Sequence, residues 1–318
     1  MVSGSAAPPT PPAERGNGAA EVDIIVVSYN QRQRLLDCCR SALAGNLPVQ
    51  LIVVDNASTD GSAGAVRHSY PAALTLPMSS NLGFAAAVNR GVRAGRAPQI
   101  LLLNNDAVLH PEALPRLAEA LEEERVAAAG PRLIGVGGQV ELSLGRTLGP
   151  FNEAAFRLLE WLYREGTGPL AGCVNRYYRQ PHRTRSLSAA CMLLKRAAVE
   201  EIGGFDERFF LYAEDVDLCR RLRQRGWCLR YVPAALVEHR RGASAATERQ
   251  RVARVYRQSQ LAFYRKHHGA LAAHLLRFYL VLRFACRSLL SRGEGRRLAI
   301  TMLRWTLRDA GKPGHLSE

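Results

Sequence analysis

Three carboxylates fall within four residues at Glu214, Asp215 and Asp217, inside the stretch GGFDERFFLYAEDVDLCRRLRQR (203–225). Behind them Val216, Cys219 and Leu222 recur every three residues, close to one face of a helix at ~100° per residue. Arg220, Arg221, Arg223 and Arg225 load the last turns with positive charge. Acid first and base last suits the helix dipole, and Gly226 supplies a stop. The spacing therefore predicts a helix that presents its carboxylates in the first turn. Phe205, Phe209, Phe210 and Tyr212 come just before and would wall that turn. Apolar rings raise a carboxyl pKa by desolvation while the dipole lowers it, and the competition can tune a general base. The alternative is a well-made helix start whose acids serve only the dipole.

Such a helix needs a scaffold that points something reactive at it. VDIIVVSYN (22–30), VQLIVVDNASTDGS (49–62) and QILLLNND (99–106) are apolar, largely β-branched or leucine runs ending in polar residues. Each reads as a strand buried on both faces. Helical patterns over 31–44 and 111–124 alternate with them, 81–93 reads as a loop and then a helix, and 74–78 reads as a short further strand. Strands of one parallel sheet point their carboxyl ends the same way. Ser28-Tyr29-Asn30, Asp55-Asn56 and Asn104-Asn105-Asp106 should then converge on one rim, where open α/β sheets bind ligands. A lone Asp at a strand end is commonly a helix cap; three such ends in succession favour a site. Beyond them, 126–134 reads as a strand and 152–164 as a helix. Residues 166–186, rich in Gly, Pro and Arg, read as a loop that binds the more variable substrate. Strand character resumes over 186–194, a helix follows over 196–202, and strands at 227–232 and 235–238 end at His239.

The net charge of +15 is unevenly placed: residues 240–318 hold 17 of the 43 Lys and Arg but only 4 of the 28 acids. A basic tail on a nearly neutral body suggests a tethering surface rather than a nucleic-acid-binding fold, and no aromatic-interleaved nucleic-acid motif occurs. The tail reads as helical from 247 on. HLLRFYLVLRFACRSLL (274–290) is apolar but interrupted by Arg277, Arg283 and Arg287, which suits a helix lying in a membrane interface with its arginines at the headgroups. No apolar run of ~20 residues free of charge occurs, so no membrane-spanning helix is predicted. Residues 1–20 read as a disordered leader without a signal-peptide core. Seven cysteines without a CxxC pair suggest a reducing compartment. No GxxxxGK[ST], zinc spacing or GxSxG is present, and no helix pattern follows GVGG (135–138) to make it a dinucleotide turn.

Taken in order, VDIIVVSYN, LIVVDNASTDGS, NLGFAAAVNRG, LLLNNDAVL, the strand to Lys195, GGFDERFFLYAEDVDLCRRLRQRGW and the final VEH resemble a family 2 glycosyltransferase of the rhamnosyltransferase-like branch. The resemblance implies an α/β, GT-A type fold with a mostly parallel central sheet over 21–240, followed by a helical, basic region over 241–318. It also implies an inverting hexosyl transfer, of rhamnose or a related hexose, from a dTDP- or UDP-linked donor. The acceptor would be lipid-linked or a polysaccharide, in cell-envelope glycan synthesis on the cytoplasmic face of the membrane. A divalent cation, Mg²⁺ or Mn²⁺, would neutralise the diphosphate leaving group. Ser28, Tyr29 and Asn30 match the first nucleotide-contacting loop, Asp55 the aspartate at the nucleotide base, and Asn81 and Gly83 the loop that closes on the nucleotide. Asn105 falls with the donor contacts. Asp106 matches the last aspartate of the metal motif, His239 the histidine that completes the metal site, and Asp215 the general base. Glu214 or Asp217 would orient that base or bind the acceptor. The chain departs from the fuller metal motif by carrying asparagine at 104 and 105, a weaker, neutral ligand; Mn²⁺ would tolerate His239 better than Mg²⁺. A nucleotidyltransferase on a similar sheet and a non-catalytic membrane scaffold are the rival readings. SYNQRQR after the first strand lacks the glycine-rich basic loop of the former.

Overall fold

The computed structural model describes residues 20–144, 148, 158–163, 169–240 and 246–308. The leader expected over 1–20 lies outside these apart from its last residue.

Four apolar segments form parallel strands in the order β3-β2-β1-β4: β1 (Val22–Ser28), β2 (Val49–Asp55), β3 (Leu74–Pro77) and β4 (Gln99–Asn104). β1, β2 and β4 are apolar on consecutive residues because both faces are covered. Ile25, Ile52 and Leu102 are buried on one side with Val88 of α3 (Phe84–Ala94). Ile24, Val53 and Leu103 are buried on the other with Leu35 and Cys39 of α1 (Arg32–Ala42) and Leu117 of α4 (Ala113–Glu122). A further helix, α2 (Ser62–Ser69), leads into β3. The register places Ser28 opposite Asp55 and Val27 opposite Asn104, so the polar ends of β1, β2 and β4 lie side by side.

The second half of the sheet is built from β5 (Ala107–Leu109), β6 (Val126–Ile134), β7 (His182–Arg183), β8 (Cys191–Lys195) and β9 (Cys228–His239). The order is β3-β2-β1-β4-β8-β6-β9-β5, with β7 on β9. β6 and β9 run with β1–β4, while β5, β7 and β8 run against them. The sheet is therefore mixed with most strands parallel. The two strands expected over 227–232 and 235–238 are one, β9, whose pairing with β6 shifts register after Pro131.

The loop expected over 166–186 contains a helix, α5 (Pro169–Tyr177), and β7. Tertiary contacts override its composition: Val174 and Tyr178 are buried, and Tyr178 accepts Leu144 N–H (3.1 Å) while its carbonyl accepts the Tyr231 hydroxyl (3.0 Å). Of the helix expected over 152–164, residues 158–163 are helical and the others lie outside the described residues. GVGG is the turn of a hairpin, with Gly137 and Gly138 at φ 103° and 78°.

Three helices follow β8 and flank β9: α6 (Arg196–Glu201), α7 (Glu214–Gln224) and the long α8 (Ala246–Leu290), with α9 (Gly293–Arg308) packed along the last. α8 is broken at Gly269 (φ 85°). Before and after that break it shares a core with the chain leading into α7: Leu261, Phe263, Leu276, Leu280 and Phe284 bury with Phe209, Ala213 and Val216. Two expectations for the tail change. Over Gln250–Leu290 the helix is long and apolar enough to cross a membrane by length and composition, since between residues 269 and 286 only Arg277 and Arg283 are charged. Arg277 is not free for headgroups; it donates to the carbonyls of Thr306 (2.9 Å) and Leu307 (2.7 Å) in α9.

The start of β1 is pinned by Asp23, which is 1% exposed. It accepts the Ala97 N–H (2.9 Å) and the Arg196 guanidinium (2.6 Å), and Arg196 also donates to Val92 and Ala97 carbonyls. One side chain thus ties β1 to the end of α3 and to α6. Removing one partner of a buried pair leaves the other charge uncompensated. Asp23→Ala should lower unfolding free energy by ~3–5 kcal/mol, read by urea denaturation.

Candidate active site

The rim where β1 and β2 end is cross-linked by side chains. Asn30, left-handed at φ 51°, donates its N–H to Ser58 Oγ (3.0 Å) and accepts the Thr59 N–H (2.8 Å) on its side chain. Asp60 accepts N–H groups from Arg32 (2.9 Å) and Ser62 (3.0 Å) at the starts of α1 and α2. Burial works against ionisation of Asp60, but the bonds from Ser62 and Arg32 outweigh it and lower its pKa. Asp55 is buried, and its carboxylate accepts the Ser58 N–H (3.3 Å). Tyr29 stands exposed at the mouth of the same loop.

Asn56 links this rim to the loop before α3. Its side chain donates to Asn81 Oδ1 (2.8 Å) and the Gly83 carbonyl (3.2 Å) and accepts the Leu82 N–H (2.9 Å). Asn81 in turn accepts the Gly83 N–H (3.0 Å). Gly83 is held at φ 82°, and a Cβ there would lie 2.5 Å from the Phe210 carbonyl, so only glycine fits. Phe84 N–H donates to that same carbonyl (2.6 Å), joining this loop to the segment before α7. One turn along α3, Asn89 grips both the N–H and C=O of Phe205 (2.9 and 2.8 Å).

Beyond β4, Asn105 donates to Ser28 Oγ (3.2 Å), so its amide faces the β1 rim. Asp106 lies beside His239, because Ala107 of β5 pairs with His239 of β9. Asp106 Oδ1 is 3.2 Å from His239 Nε2, and Glu141 Oε2 is 2.8 Å from His239 Nδ1. Burial opposes protonation of this imidazole, but hydrogen bonds to Asp106 and Glu141 raise its pKa to about 9. The donors fit a divalent cation: a carboxylate and an imidazole nitrogen separated by about the ~3 Å expected of neighbouring ligands at 2.0–2.2 Å. Among the described residues no group of three His, Cys, Asp or Glu side chains converges to hold a metal. A cation here would draw its other ligands from water and substrate oxygens, as Mg²⁺ and Mn²⁺ sites commonly do.

α7 begins after two consecutive left-handed residues, Tyr212 (φ 69°) and Ala213 (φ 68°). Backbone strain of this kind costs ~1–3 kcal/mol per residue and persists only where the surroundings enforce it. Here they do: Ser259 of α8 donates to the Leu211 carbonyl (2.7 Å), and Tyr256 stacks edge-on against Tyr212. The three acids then diverge. Asp215, half-buried, accepts the Ala189 N–H (3.4 Å), and the next residue, Ala190, accepts the Asn104 N–H (2.9 Å). This two-step bridge joins the first turn of α7 to the corner that carries Asp106. Glu214 is 5% exposed, and its Oε2 has no hydrogen-bond partner. Burial first, and the neighbouring Asp215 second, push its pKa well above the usual carboxylate range. Asp217 turns to the opposite side. It is fully buried and accepts hydrogen bonds from Arg221, Lys266 and His267, each at 2.6 Å.

Lys266, His267 and Ser259, which hold this turn from α8, carried no signal in the sequence. A basic or hydroxyl residue in a distant helix names no partner. Glu141 was equally silent, as it reaches His239 only through the hairpin at Gly137 and Gly138. Asn56 had a signal, its place directly after Asp55 at a strand end.

A mixed sheet with its parallel strand ends on one rim, an acidic helix start bridged to the β4 corner and a carboxylate–imidazole pair at that corner is the arrangement of a glycosyltransferase of GT-A type. The architecture matches the mannosyltransferase PcManGT from Pyrobaculum calidifontis, solved in complex with GDP-Man and Mn²⁺, with a TM-score of 0.55 over 92% of this chain and 82% of that one, at 17% identity. A family profile described as "Glycosyltransferase like family 2" matches residues 19–258. The N-acetylglucosaminyl-diphospho-decaprenol L-rhamnosyltransferase of Mycobacterium tuberculosis (strain ATCC 25618 / H37Rv) is 31% identical over 296 residues, covering 87% of this chain and 96% of that protein. The pre-mycofactocin glycosyltransferase of the same organism is 30% identical over 245 residues, 75% of this chain and 46% of that protein. The chain belongs to glycosyltransferase family 2, in a rhamnosyltransferase-like branch, and it is an enzyme of that class. The nucleotidyltransferase and scaffold readings fall with this assignment.

Asp217 supplies a test of how the first turn of α7 is held. Burial disfavours its charge, yet His267, Lys266 and Arg221 together hold its pKa below the ordinary 3.8. A carboxylate with a depressed folded pKa stabilises above its unfolded pKa and loses that contribution as pH falls through the folded value. The stability gap between wild type and Asp217→Asn should stay constant above about pH 4 and close below it, measured by urea unfolding across pH.

Proposed function

We propose that this enzyme transfers rhamnose or a related hexose, with inversion, from a dTDP- or UDP-linked donor to a lipid-linked acceptor in cell-envelope glycan synthesis. The observation that carries the reading is the bridge from Asp215 through Ala189 and Ala190 to Asn104, because inversion needs a base and a leaving-group site on opposite sides of one cleft. The similarity to a rhamnosyltransferase named for a decaprenyl-diphosphate-linked acceptor supports the sugar and the lipid carrier.

In this reading Asp55 and the Ser28–Asn30 loop bind the nucleotide, with Asn81 and Gly83 closing on it and Asn105 fixing the wall between. Asp106 and His239 would hold a divalent cation, which supplies charge neutralisation to the diphosphate. Asp215 takes the proton of the acceptor hydroxyl. That oxygen forms the new bond to the anomeric carbon as the carbon–phosphate-oxygen bond breaks, and the nucleoside diphosphate leaves with the electron pair. Glu214, buried beside Asp215, has its carboxyl pushed toward the protonated form, which disfavours a second negative charge next to the base. Asp217 serves as a support through α8 rather than touching the acceptor.

The enzyme works at the cytoplasmic membrane face as a peripheral protein. Leu271, Leu275, Phe278, Leu282 and Leu289 are each at least half exposed and fall within one narrow stripe of α8 at ~100° per residue. Leu276, Leu280 and Phe284, on the opposite side, are buried. A helix apolar on both sides with one side bare suits a bilayer surface. The exposed Arg287, Arg292, Arg296 and Arg297 complement anionic headgroups.

Two outcomes follow. Asp215→Asn should lower transfer by roughly 10²–10⁴ while donor affinity, read by isothermal titration, is unchanged; undiminished transfer removes Asp215 as the base. Leu275→Asp with Phe278→Asp should abolish co-sedimentation with vesicles containing phosphatidylglycerol. Binding that survives the double substitution would place the membrane contact elsewhere.

A further inference from the structure

Glu141 has no part in the reaction as described, yet its carboxylate is nearly buried against the imidazole of His239 at 2.8 Å. The chain goes to some length to bring it there. β6 ends in a hairpin in which Ile134 bridges to Val140, Gly135 N–H donates to the Gln139 carbonyl (2.8 Å), and Glu141 N–H donates to Leu133 (2.9 Å). β6 pairs in parallel with β9, Leu133 opposite Val237 and Ile134 opposite Glu238. The returning arm of the hairpin therefore delivers residue 141 to the end of β9, where His239 stands.

An imidazole that binds a cation must offer a lone pair on one nitrogen, and the hydrogen bond at its other nitrogen decides which. A carboxylate can only accept, so when a cation occupies the Nε2 side next to Asp106, Glu141 holds the remaining ring proton on Nδ1 and leaves the Nε2 lone pair for the metal. Asp106 and Glu141 lie on opposite edges of the ring, 3.2 Å from Nε2 and 2.8 Å from Nδ1 respectively. Glu141 is thus on the wrong side of His239 to share a cation with Asp106.

We propose that Glu141 is a positioning residue that fixes the tautomer and ring orientation of His239, and so sets the cation affinity of the Asp106–His239 pair. The inference rests on the cation reading given under the proposed function. Its test measures Mn²⁺ binding to the full-length enzyme, alone and with UDP or dTDP, by loss of the free Mn²⁺ paramagnetic resonance signal. Thermal unfolding checks that each variant is folded. Glu141→Ala should weaken Mn²⁺ binding by 10- to 100-fold, the range for lost outer-shell partners of metal-binding histidines. Glu141→Gln, whose amide oxygen still accepts the Nδ1 proton, should keep most of the affinity and serves if the alanine variant does not fold. In ¹⁵N spectra of the Mg²⁺-loaded protein, the ring proton of His239 should reside on Nδ1 in wild type and Glu141→Gln, and lose that preference in Glu141→Ala. Wild-type affinity in Glu141→Ala, alongside weakened binding in His239→Ala, overturns the proposal and leaves the cation site standing. An equal loss in the Gln and Ala variants also overturns it, since that is the behaviour of a direct ligand. Unchanged affinity in His239→Ala instead overturns the cation reading itself.

Discussion

Backbone hydrogen bonding holds β1 between two parallel neighbours, with Ser28 opposite Asp55 and Val27 opposite Asn104. Every contact at the rim presupposes this register. Asn30 reaches Ser58 and Thr59, and Asn105 reaches Ser28, only because the three strands release their polar residues at the same level. A slip of one residue would also exchange the two buried faces, moving Ile25 and Ile52 to the side of α1 and α4. The continuous apolar runs therefore do two things: they cover both faces and they penalise any other alignment.

Against these strand ends the chain sets a second wall that the sheet alone does not fix. Asn89 grips Phe205, Gly83 and Phe84 abut Phe210, and Asp217 is clamped by α7 and α8 together. The left-handed pair Tyr212–Ala213 lies between these anchors. A buried ion cluster is weak evidence of net stability, since desolvation offsets much of the attraction. Its value here is geometric, as two of the three partners of Asp217 come from outside the sheet domain. The family match runs past β9 to residue 258, into the first turns of α8, and ends short of Lys266 and His267.

Much of the framework was legible from local pattern. The strands β1 to β4 and β6 and the helices α1, α3 and α4 appear close to where the periodicity put them, because buried strands and amphipathic helices leave marks at short range; the short α2 and β5 had no such mark. The charge order of 214–225 likewise marked α7 to within a residue at each end. What local pattern missed was decided at long range. The helix at 169–177 forms in a stretch rich in Gly, Pro and Arg because Tyr178 is bonded to Leu144 and Tyr231. The acids at 214, 215 and 217 look equivalent in sequence, yet one is buried with an unpartnered oxygen, one bonds toward the β4 corner and one is locked to α8. Helical spacing separates them by 100° steps, but only tertiary structure says what stands in each direction. Arg277 was misread for the same reason: its partners are carbonyls of a helix that begins sixteen residues later.

The unbroken half of α8, from the kink at Gly269 to Leu290, has a consequence for how this chain can change its length. Within that half Leu271 and Leu282 stand bare on one stripe, roughly 16 Å apart at 1.5 Å per residue. Inserting a single residue between them would lengthen that span only slightly but would swing the outer stripe by ~100°. Insertions near two full turns, about seven residues, would restore its heading. Natural variation in this stretch should therefore be quantised, with gaps and additions arriving in whole turns or not at all.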